Sequence, residues 1–116
     1  GVTSGQIKQA EAALLKAQET QRQTRDSVQL DVRNAYLSLR EAEKRIDTSQ
    51  VAVEKAEEDF KIAQVRYSAG VGTNIDVIDA QVALTQAKTN YIQAMYDYNT
   101  SRAKLDKAMG IEVTAN

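Results

Sequence analysis

Asp76 and Asp79 are the side chains in this sequence whose type and spacing come nearest to chemistry. Two carboxylates three residues apart on a helix lie on roughly one face. Such a pair can concentrate cations, or divide the roles of acid and base. The second use needs company that the sequence does not supply. There is no His and no Cys, so neither a Ser–His–Asp set nor a thiolate centre can be assembled. No Gly-rich phosphate loop follows a strand. A simpler use is at hand: both residues fall in the first turns of an expected helix, where acidic groups complement the positive end of the helix dipole. The expectation is a protein that is not an enzyme, with no cofactor and no metal site.

The elements that position this pair begin with a turn. Ser68-Ala69-Gly70-Val71-Gly72-Thr73-Asn74 separates two long periodic runs. The two glycines can supply positive φ, and Gly70 is placed to end the first helix. Thr73 is followed three residues on by Asp76, close to a capping box, so Thr73 or Asn74 starts the second helix. Arg66 stands just before the turn.

The flanking runs follow a heptad rule. After the turn, Val77, Ala80, Leu84, Ala87, Tyr91, Ala94, Tyr98, Ser101, Leu105 and Ala108 are spaced alternately three and four. Before it, Val32, Ala35, Leu39, Ala42, Ile46, Ser49, Val53, Ala56, Phe60, Ala63 and Tyr67 do the same. That alternation is the seam of a coiled coil. Ile7, Ala10, Leu14, Ala17, Gln21, Thr24 and Val28 extend it upstream, and the successive steps of four from Thr24 to Val28 to Val32 are a stutter that locally unwinds the supercoil. Tyr36 and Tyr96 lie off the seam, available to neighbouring helices.

Composition supports helix throughout. The 116 residues include no Pro and no Trp, with only five Gly and one Phe. Fifteen basic and sixteen acidic residues are interspersed, so nothing points to nucleic acid. No apolar run approaches the roughly 20 residues that span a bilayer as a helix. The start at Gly1 without Met, and the lack of a visible signal peptide, point to a processed chain or a piece of a longer one.

The expected fold is all-α: one long antiparallel two-helix coiled-coil hairpin over residues 1–116. The helices are expected at about 6–69 and about 75–109, joined by a tip at 70–74. Gly110 is expected to stop the second helix and leave a frayed tail at 110–116. Helices of roughly 95 and 50 Å would leave residues 6–35 without a partner. Glu57–Lys61, Glu41–Arg45 and Arg102–Asp106 are spaced to form exposed ion pairs.

The tip, Arg66-Tyr67-Ser68-Ala69-Gly70-Val71-Gly72-Thr73-Asn74-Ile75-Asp76-Val77-Ile78-Asp79-Ala80-Gln81, resembles that of the second repeat in TolC-like outer-membrane efflux proteins. Asp31-Val32-Arg33-Asn34-Ala35-Tyr36-Leu37 is similar to the family's long descending helix. Asn90-Tyr91, Tyr96-Asp97-Tyr98 and Ala108-Met109-Gly110 are similar to its ascending helix. The resemblance covers nearly the whole chain. It implies the periplasmic part of a trimeric α-barrel and β-barrel channel in a Gram-negative-type outer membrane. The partners implied are a periplasmic adaptor protein at the tip, indirectly an inner-membrane pump, and two further copies of the parent.

The resemblance also assigns residues. Arg66, Gly70, Val71, Gly72 and Thr73 would form the adaptor-docking tip. Asp76 and Asp79 match positions where relatives carry aspartates facing the pore constriction. In relatives a basic residue takes the place of Gly72, so gate-holding bonds from that side chain do not carry over. Two other readings of the residues stay open: the hairpin of the adaptor protein itself, and a structural coiled coil serving as scaffold.

Overall fold

The computed structural model describes residues 3–115, with side-chain exposure described as far as Gly110. Two helices make up the hairpin: α1, Ser4–Ser68, and α2, Asn74–Ala115. The molecule measures 102 × 21 × 13 Å, a long flat slab.

α1 starts two residues earlier than the periodicity suggests. Thr3 closes a capping box with Gln6: the Gln6 amide donates to Thr3 Oγ1 at 3.2 Å, and the Thr3 amide to Gln6 Oε1 at 3.0 Å. Two of the orphan donors at the helix start are thereby satisfied.

α2 runs past its expected end. Gly110 does not stop it, and the helix continues to Ala115 through most of the expected tail. Asn116 lies outside the described residues. A helix-ending glycine works by adopting positive φ, and Gly70 is the glycine described as doing so. A glycine kept in helical geometry costs only about 1 kcal/mol relative to Ala. No Pro follows it to force a stop.

The seam forms as the heptads require. Ala42, Ala63, Leu84, Ala87 and Ala94 are buried. The remaining seam positions from Val28 to Ala108 are half-buried, with one exception: Tyr67 is 52% exposed. Arg45 reaches Asp97 across the seam, which fixes the register. In that register Phe60 stands opposite Ala80, Leu84 opposite Ala56, and Tyr98 opposite Ala42. Each large residue meets a small one, so the helices approach closely and the alanines are covered. Tyr67 falls opposite Thr73, where α2 has not yet begun, so no side chain covers it.

Burial on α1 begins at Val28 rather than at residue 35: Val28 and Val32 border grooves shared with Leu105, Ala108 and Met109 of α2. Before that point the stripe is bare: Ile7 is 49% exposed and Leu14 59%. Of the three ion pairs read from spacing, Glu41–Arg45 forms at 3.1 Å. Glu57–Lys61 and Arg102–Asp106 do not form among the described residues; Lys55–Asp59 forms instead, at 3.0 Å.

Candidate functional site

The tip is where backbone geometry is most specified. Gly70 follows the C-cap residue Ala69 and has φ of 79°. Its amide donates to the Tyr67 carbonyl at 3.1 Å, and the Val71 amide donates to the Arg66 carbonyl at 3.0 Å. Those two bonds make a Schellman motif. Gly72 adds a third bond, its amide donating to the same Arg66 carbonyl at 3.1 Å.

The two glycines serve different needs. Gly70 supplies the left-handed conformation. Gly72 supplies closeness: a Cβ there would lie 3.1 Å from Arg66 Cβ and 3.3 Å from the Tyr67 nitrogen. The expectation that both contribute positive φ therefore holds for Gly70 alone. Arg66 is bound into the turn from both ends, because its guanidinium also donates to the Val71 carbonyl at 3.4 Å.

Thr73 caps α2. The Asp76 amide donates to Thr73 Oγ1 at 3.2 Å, and the Thr73 amide donates to Asp76 Oδ2 at 3.1 Å. Asp76 is thus a capping-box carboxylate in the first turn of α2. Asp79 is exposed one turn on. The structure brings Arg66, Gly70, Val71, Gly72 and Thr73 together in one turn, with Asp76 and Asp79 leading away from it.

Exposed apolar side chains gather here. Val71 at the apex is 65% exposed, and Ile75, Ile78 and Val82 continue down α2 at 57–64% exposure. Among the described residues no cluster of His, Cys, Asp or Glu is grouped to hold a metal ion. No described helix is long and apolar enough to cross a membrane.

Farther up the shaft lies a polar cluster of which the spacing of residues on one helix revealed only the Glu41–Arg45 pair. The Arg45 guanidinium donates to Asp97 Oδ2 and to Glu41 Oε1, both at 3.1 Å. Gln93 donates to the other Asp97 oxygen at 2.9 Å. The signal was in the sequence only once the register of the two helices was known.

A capped, glycine-turned tip on a thin coiled-coil slab defines a structural class, an elongated antiparallel helical hairpin. Residues 1–111 match the family model described as outer membrane efflux protein, and the chain belongs to that family. It is 28% identical over 110 residues to outer membrane protein TolC of Escherichia coli, covering 95% of this chain and 22% of that protein. The same protein of Vibrio cholerae is 30% identical over 110 residues, covering 95% of this chain and 25% of that protein. The chain therefore spans about a quarter or less of the length of these relatives.

Proposed function

We propose that the chain is the periplasmic hairpin of an outer-membrane efflux channel, that it forms part of the channel wall, and that its tip docks a periplasmic adaptor protein. The observation that carries the wall is the pair of apolar flanks. On α2, Ile75, Ile78, Val82, Ile92 and Tyr96 are exposed two residues before seam positions. Two residues turn the helix about 200°, so this stripe points away from α1. On α1, Leu30, Leu37, Val51 and Val65 do the same. A slab apolar along both narrow edges is suited to side-by-side packing with similar slabs, and head-to-tail contacts of that kind close into rings. The trimer, the adaptor and the inner-membrane pump belong to this proposal, as does the passive conduction of exported solutes. Catalysis plays no part in it.

At the tip, Val71 is the apolar group a docking partner would meet, on a turn held rigid by Arg66, Gly70, Gly72 and Thr73. Asp76 and Asp79 would each contribute to a ring of carboxylates in a trimer. Such rings favour cations.

The test is single-channel conductance of the full-length protein in a planar bilayer. Cation-selective current, with selectivity reduced in Asp76→Asn/Asp79→Asn, is the expected result. Current whose selectivity ignores the substitutions keeps the wall and leaves the two residues as helix-start acids. No current from the folded protein rejects the channel. For docking, Val71→Asp should weaken capture of the adaptor while conductance is kept; unchanged capture removes the tip from the contact.

A further inference from the structure

We propose that Arg45 is a register-positioning residue: it holds the hairpin out of a second register, one heptad along the seam, into which the same two helices can pack. The register belongs to the hairpin alone and does not depend on the channel reading.

The seam by itself does not choose. In the observed register Phe60 faces Ala80, Leu84 faces Ala56 and Tyr98 faces Ala42. Slide α2 toward the tip by one heptad, about 10 Å, and Phe60 meets Ala87, Leu84 meets Ala63 and Tyr98 meets Ser49. Large residues still meet small ones, because both helices alternate the two at the same period. The slide even covers Tyr67, 52% exposed as it stands, by setting it against Ala80. The reverse slide is disfavoured at once: it leaves Phe60 beside Thr73 and brings Asp59 against Asp76.

Charge separates the two registers. On one flank of the seam Arg45 donates to Asp97 at 3.1 Å. After the slide it would face Lys104, one heptad beyond Asp97. On the other flank the preference is reversed. Glu43 and Glu57 stand opposite Met95 and Gln81, and after the slide they would face Arg102 and Lys88. None of these four charged residues forms an ion pair among the described residues. Charges flanking a coiled-coil seam select orientation and register by attraction and repulsion of this kind. Two matched pairs thus favour the slide, and Arg45 opposes it by losing Asp97 and meeting Lys104. The tip opposes it too, since Gly70 and Thr73 set the turn where it is. In the second register the turn falls later in the chain, Val71 joins a lengthened α1, and the apex offered for docking is gone.

The experiment reads the register in the 116-residue chain, which has no Cys of its own. Nitroxide labels at Arg40→Cys and Thr85→Cys, both exposed and off the seam, report their separation by pulsed electron paramagnetic resonance. With Arg45 in place a single separation is expected. Arg45→Glu sets a third carboxylate beside Glu41 and Asp97 in the first register and gains Lys104 as a partner in the second. It should add a separation longer by up to about 10 Å. Arg45→Glu/Lys104→Glu removes that partner and should return the shorter separation alone. A folded Arg45→Glu chain that keeps only the first separation overturns the proposal. So does a longer separation that Lys104→Glu fails to reverse, since that is loosening rather than a change of register. Should Arg45→Glu not fold, Arg45→Gln removes the bond without adding a carboxylate. It should show the longer separation in a smaller share of molecules, and its absence there overturns the proposal as well.

Discussion

α1 carries heptad spacing on both sides of the stutter at Val28, yet its two parts end in different states. From Val28 onward the seam faces α2, and Ala42 is 1% exposed. Before Val28 the same spacing continues, but Ile7, Leu14 and Leu15 are 49–66% exposed. A heptad names a face; it does not supply the partner. Burial, and the stability that comes with it, is present only where the second helix reaches. The bare stretch has its backbone ladder, its capping box and local side-chain pairs, but no facing helix among the described residues.

That contrast predicts its largest effect at matched leucines. Leu84 is 6% exposed and Leu14 59%. In urea unfolding of the 116-residue chain, Leu84→Ala should cost about 2–3 kcal/mol through lost contacts and the void left opposite Ala56. Leu14→Ala should stay within about 0.5 kcal/mol, as exposed substitutions do. Equal costs would mean that the bare stretch is covered in solution, and the contrast between the two parts of α1 would collapse.

A smaller effect separates the two glycines of the tip. Gly70→Ala forces an L side chain into the left-handed region and should cost about 1–2 kcal/mol. Asn tolerates that region, so Gly70→Asn should recover part of the loss. At Gly72 the obstacle is the nearness of Arg66, not φ, so Asn there should be no better than Ala. Rescue by Asn at both positions, read by thermal unfolding, would show that both obstacles are conformational. Thr73→Ala, which removes the cap of α2, should cost about 1 kcal/mol.

Much of this was legible in the sequence alone. The seam was, because three-four spacing has one meaning over this many turns. The tip was, because Gly70 and the Thr73–Asp76 box act within a few residues of themselves. What escaped depended on distance or on small energies. Arg45 and Asp97 are 52 residues apart in sequence, and only the register of the helices joins them. Gly110 resembled a stop, but one glycine is too weak to end a helix that nothing else opposes. Thr3 and Gln6 did carry a readable capping signal, since a hydroxyl three residues before a Gln is the box pattern. Tyr67 obeyed the period yet stayed exposed, because the period says nothing about where the opposite helix begins.

The smallest expected effect lies on the bare stretch. Arg22 is held by Glu19 and Asp26 on the same exposed face. The bond from Arg22 holds the Glu19 carboxyl below its ordinary value of 4.5; burial works weakly the other way, and Gln23 adds to the lowering. The folded pKa is depressed, so the pair supports the helix fully above the ordinary carboxylate range. That support is lost as pH falls through the lowered pKa of Glu19. Both partners are open to solvent, so salt should weaken the effect further. Carbonyl chemical shifts around Arg22 should drift toward coil values in that acidic window, while those at Ala42 and Ala94 hold. Glu19→Gln should remove the drift. If the seam drifted in step with the bare stretch, the whole of α1 would be melting as one unit. Helix with a partner and helix without one would then differ in exposure but not in stability.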